Sequence, residues 1–124
     1  MLTARDPGEA YRRVDFDARV NGAAAHQLVD LCYEQLTGSI DRAIFAEGRG
    51  DNAMKSAALT RAVAALTALQ MGVDANAAAG GALLTLYGSA RRAVLDCAVR
   101  FNEMALRSIQ RDFSEIREAL RRAG

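Results

Sequence analysis

The residues of this chain best suited to chemistry are few: one histidine, His26, and two cysteines, Cys32 and Cys97. An exposed imidazole on a helix could carry a phosphoryl group. Here the third and fourth positions after His26 are Val29 and Asp30, and a carboxylate beside a phosphorylated ring is repulsive. The cysteines have no CxxC spacing, and each falls among apolar residues of a helical pattern, where a thiol acts as a small hydrophobe. A metal site in a helical core needs Glu-x-x-His pairs and further carboxylates, and a single His cannot supply two such pairs. Neither a GxSxG nucleophile motif nor a Cys-His-Asn set occurs. Gly80-Gly81 lacks the Lys-Ser/Thr of a phosphate loop and reads as the turn that starts a helix. Glu115 and Glu118 lie on an Arg-studded face as ordinary surface charge. The expectation is therefore a binding protein with no catalytic residue, no metal and no cofactor.

Composition narrows the class of partner. The 124 residues are 51% hydrophobic and 25% charged, enough apolar surface for one modest core. Sixteen basic residues against fifteen acidic ones leave a net charge of +1, without the basic excess that nucleic-acid binding requires. No apolar run reaches the roughly 18 residues of a membrane span. The first residues lack the apolar stretch of a secretory signal, so the expected compartment is the cytoplasm. With no Trp and seven Tyr and Phe, the core must be mainly aliphatic and alanine. Alanine is also the strongest helix former.

The elements that would carry a binding surface follow from periodicity. Residues 1–22 contain Pro7-Gly8, Asn21-Gly22 and charges of both signs, and predict an extended arm with Tyr11, Val14, Phe16 and Val20 as anchors. From residue 23 onward a single bundle domain is expected. Leu28, Cys32, Leu36, Ile40 and Ile44 recur every four residues, the spacing of one helical face. Gly48-Arg49-Gly50 ends that helix and Asp51-Asn52 caps the next. The second helix carries Met54, Ala58, Leu59, Ala62, Val63, Leu66, Leu69 and Val73, and ends before a break from Asp74 to Gly80-Gly81. The third carries Leu83, Leu84, Leu86, Tyr87, Ala90, Val94 and Cys97. A turn near Asn102 separates it from Leu106, Ile109, Phe113, Ile116 and Leu120. No segment alternates with period two. The pattern predicts an all-α, up-down antiparallel four-helix bundle with an extended N-terminal arm. The apolar stripes of helices two and three are wider than one helix contact needs. They predict a partner-binding groove lined by Leu59, Val63, Leu66, Leu83, Leu86 and Tyr87.

The order of these features resembles the FliS family of flagellin export chaperones, over about residues 10–120. The family's opening Ala-Tyr is matched by Ala10-Tyr11. Its Val-x-Thr-Ala-Ser-Pro-x-x-Leu-Val helix start corresponds to Val20–Val29, with the Thr, Ser and Pro replaced. Leu31-Cys32-Tyr33-Glu34-Gln35 keeps the Tyr and an acid of the next motif. Leu69–Asp74 is similar to the close of the family's second helix. Gly80, Gly81, Leu83, Leu86 and Tyr87 match its glycine-rich break and Leu-x-x-Leu-Tyr, although a second Tyr is here Ser89. Ile116-Arg117-Glu118-Ala119-Leu120 resembles the C-terminal motif. The resemblance implies a cytoplasmic chaperone that binds the disordered C-terminal segment of flagellin. It would prevent premature polymerisation and deliver the client to the flagellar export apparatus, without membrane insertion. It also implies that Tyr11 docks on the bundle near the client path. Two alternatives stand beside it: a histidine phosphotransfer bundle using His26, and a structural or regulatory homodimer using the 106–120 stripe as a coiled coil.

Overall fold

A computed structural model describes the backbone of residues 7–123 and the side chains of residues 27–122. Four helices follow one another: α1 (Pro7–Gly48), α2 (Asn52–Met71), α3 (Gly80–Val99) and α4 (Glu103–Ala123). No strand occurs among the described residues. The all-α four-helix architecture expected from periodicity is the one observed.

The first element departs from expectation. Helix α1 begins at Pro7, so the backbone of 7–22 is helical and continuous with the bundle rather than extended. Proline is well suited to a first helical position, where its missing N–H would have had no partner anyway. Asn21-Gly22 weakens a helix by only about 1 kcal/mol per poor residue, too little to break it. At 42 residues α1 is about twice the length of α2, with 20.

The turns are set by specific residues. Gly50 has φ +69°, a left-handed conformation that costs other residues about 1–2 kcal/mol. There the Gly50 N–H donates to the Glu47 carbonyl at 3.1 Å and the Asp51 N–H to that of Ala46 at 2.9 Å, the Schellman arrangement that closes a helix. Asp51 also opens α2, its carboxylate accepting from the Met54 N–H at 3.0 Å. Gly80 is buried against the 74–79 loop, where an added Cβ would overlap the carbonyl oxygen of Asp74. Between α3 and α4, Arg100 turns to extended backbone and Asn102 Oδ1 accepts from the Ala105 N–H at 3.0 Å. An asparagine cap thus makes the break that no Gly or Pro marks.

Packing is uneven around the bundle. α1 lies between α2 and α4, α3 packs on α2, and of the pairs in contact α3 and α4 touch least. The α1–α2 pair is the most intimate, and the two helices bury small residues, Ser39, Ala43 and Ala46 on α1 and Ala58, Ala62 and Ala65 on α2, beside larger aliphatic ones. Across the core, the rings of Tyr87 and Phe113 sit 5.7 Å apart between α3 and α4. Tyr33 meets Phe113 at 5.6 Å and Tyr87 edge-on at 6.3 Å. Small side chains permit close approach of α1 and α2, and the three rings fill the space among α1, α3 and α4. Leu36, Ile40, Leu66, Leu69, Val94, Leu106 and Ile109 complete the core.

Candidate functional site

Side chains with reactive potential are used for structure. The hydroxyls of Tyr33 and Tyr87 lie 2.6 Å apart in the core, and burial, the largest influence on each, pushes both upward. Such hydroxyls stay protonated at neutral pH. Burial likewise raises the half-buried Cys32 thiol, which disfavours the nucleophilic thiolate, and Cys97 is buried in the core. Among the described residues, no group of three or more His, Cys, Asp or Glu could hold a metal ion. His26 lies outside the described side chains.

The strongest electrostatic feature joins α1 to α4. Arg117 donates through Nε to Asp30 Oδ1 at 2.7 Å and through Nη2 to Oδ2 at 3.0 Å, and Arg121 Nη2 reaches Oδ2 at 3.3 Å. Glu34 lies 3.6 Å from Arg117. Hydrogen bonds from Arg117, the largest cause, hold the Asp30 carboxyl down at about 2. This bidentate clamp fixes the end of α4.

The residues predicted to line a groove are not gathered on an exposed surface. Leu59, Leu66 and Tyr87 are buried in the core. Val63, Leu83 and Leu86 are half-buried and pack against it. These residues are thus packed within the bundle. Helix α2 packs against both α1 and α3, and serving two neighbours takes a wide stripe without any external partner. Tyr11 lies outside the described side chains.

Exposed apolar residues lie elsewhere. Leu28 and Leu31 on α1 are 60% and 59% exposed, although the four-residue repeat places Leu28 in the core. The seam that α1 buries runs instead through Tyr33, Leu36, Ile40 and Ala43. At the other end of the bundle, Phe45, Leu95, Val99 and Met104 are exposed. Two surface grooves flank α1. One, of about 410 Å³, lies against α2 and is lined by Leu31, Cys32, Glu34, Gln35, Gly38 and Arg42 with Ala65. The other lies against α4 and is spanned by its own bonds: Gln110 Nε2 donates to Asp41 Oδ1 at 2.8 Å and to the Thr37 carbonyl at 3.0 Å. Sequence reasoning missed the first groove. The available signals were Leu31, out of phase with the buried seam, and Gly38 in mid-helix.

The described residues form a four-helix bundle with exposed apolar side chains on α1 and at the α3–α4 turn. The family model for flagellar protein FliS matches residues 7–124, and the chain belongs to that family, one of flagellar export chaperones. No curated protein matches the chain.

Proposed function

We propose that the protein is a cytoplasmic export chaperone that binds the disordered C-terminal segment of flagellin. In this role it keeps the segment from polymerising early and hands the client to the flagellar export apparatus. The observation that carries the reading is the family match across residues 7–124. It is supported by the exposed aliphatic residues on α1 and at the α3–α4 turn. No described helix is long and apolar enough to cross a membrane, which fits a chaperone that meets its client in solution.

The physical task is to fold a disordered tail on a helical surface. The apolar area buried must exceed an ordering cost of about 2–5 kcal/mol. No cofactor or turnover is needed. Titration calorimetry with a flagellin C-terminal segment should give a saturable complex with a negative heat-capacity change and a gain of helical circular dichroism. Absence of binding, with flagellin polymerising equally fast in the presence of the protein, would overturn the reading.

A further inference from the structure

Three consecutive residues inside α1, Thr37, Gly38 and Ser39, each weaken the helix in a different way. The Thr37 hydroxyl donates back to the carbonyls of Tyr33 at 3.1 Å and Glu34 at 3.2 Å, a bond that competes with the backbone ladder and bends helices. Gly38 is poorly suited to a helix interior. An added Cβ there would meet nothing within 4 Å, so no close approach within the molecule demands glycine. The Ser39 hydroxyl is fully buried and, among the described residues, is the buried side-chain polar atom that lacks a hydrogen-bond partner. An unmet group of this kind favours any state that opens its surroundings.

The two flanks of the triplet are tied to different neighbours. Upstream, Tyr33 bonds Tyr87 on α3, and Arg117 and Arg121 on α4 clamp Asp30. Downstream, the turn at Gly50 and Asp51 joins α1 to α2. One side chain of α4 bridges the weak point itself. Gln110 Nε2 donates to the Thr37 carbonyl at 3.0 Å and to Asp41 Oδ1 at 2.8 Å, and so spans a full turn across Gly38 and Ser39. Arg107 Nη1 donates to Gln110 Oε1 at 2.9 Å and to Asp41 Oδ1 at 3.1 Å, which turns the amide nitrogen of Gln110 toward α1. Bends in helices arise where a Gly/Ser pair or an inserted side chain disturbs the ladder, and here both coincide.

We propose that Thr37-Gly38-Ser39 is a hinge in α1, latched by Gln110 and Arg107 of α4, at which the helix opens locally while the bundle stays folded. The side chains of Arg107 and Asp41 face solvent, so the latch can be released from outside without disturbing the core. The inference does not depend on the chaperone reading.

Amide exchange of the full chain, followed residue by residue by NMR, tests it. In an α-helix the carbonyls of residues 37–39 pair with the amides of Asp41, Arg42 and Ala43. Those three amides should exchange faster than the amides of Leu36 and of residues 62–69 in α2. Gln110→Ala should raise their rates roughly tenfold, the effect of losing two ordinary hydrogen bonds, and leave residues 62–69 unchanged. Arg107→Ala should give a smaller rise at the same three amides. Gly38→Ala should lower their rates roughly fivefold, the factor set by the helix disadvantage of glycine. Equal protection of residues 41–43 and 62–69 in the natural protein would overturn the hinge. If Gln110→Ala instead speeds exchange evenly over all four helices, Arg107→Ala decides: a rise confined to residues 41–43 upholds the latch, and no rise, or an even one, overturns it.

Discussion

Two residue pairs show how single side chains couple distant parts of the chain. Tyr33 and Tyr87 are 54 positions apart and share one buried hydrogen bond of 2.6 Å. Removing one hydroxyl leaves the other buried without its partner, a loss of about 1–3 kcal/mol, whereas replacing both removes the unmet demand. Tyr33→Phe and Tyr87→Phe should each lower the urea midpoint, and the double variant should recover most of the loss. Additive losses would show that the bond is not the source. Asp30 behaves differently because it is partly open to solvent. Its carboxyl is held at about 2 in the folded protein, below the ordinary value of about 3.9. A depressed carboxyl stabilises the fold above the unfolded value, so this contribution is present above about pH 4 and is lost as pH falls toward about 2. Solvent screening keeps it small. Arg117→Ala should return Asp30 toward the ordinary range, read by the carboxyl carbon shift in an NMR titration. An unchanged midpoint would refute the clamp.

At the scale of elements, the bundle depends on its three connections. Gly50 and Asp51 together close α1 and open α2 within two residues. Asp51→Ala removes the acceptor for the Met54 N–H and should cost about 1 kcal/mol. Gly50→Ala should cost about 1–2 kcal/mol through its left-handed backbone. Both are measured by urea unfolding, and a loss below the error of that measurement would show that the turn tolerates other caps. The connection between α3 and α4 uses Asn102 in the same way. It keeps those two helices from fusing into one rod, which their joined apolar pattern alone would permit.

For the whole molecule, the division between core and surface decides what a mutation does. Leu59 is buried and Leu31 is 59% exposed. Leu59→Asp places an uncompensated charge in the core and should cost roughly 3–5 kcal/mol, seen as a sharp fall in the thermal midpoint. Leu31→Asp should change stability by no more than about 0.5 kcal/mol, as exposed substitutions do, and leave the midpoint nearly unmoved. Equal effects at both positions would mean that the burial assigned to α2 is wrong.

Much of this molecule was legible in the order of its residues. The number of helices, the turns at Gly50-Asp51 and Gly80, and the seam of Leu106, Ile109 and Phe113 follow from periodicity and local backbone chemistry, which act over a few residues and need no tertiary knowledge. The family resemblance was legible for the same reason, as short motifs in a fixed order. The start of α1 was misread because Pro-Gly suggests a break, whereas proline at a first helical turn is compatible with helix. Which apolar residues face inward was decided only by the tertiary structure. A helix with two neighbours buries a wide arc, so stripe width alone cannot separate core from binding surface. The neighbours of α2 lie on both sides of it, and Leu59, Leu66 and Tyr87 went inside. Leu28 and Leu31, on the same helix as the core seam, were left outside because α1 turns that side away from its partners.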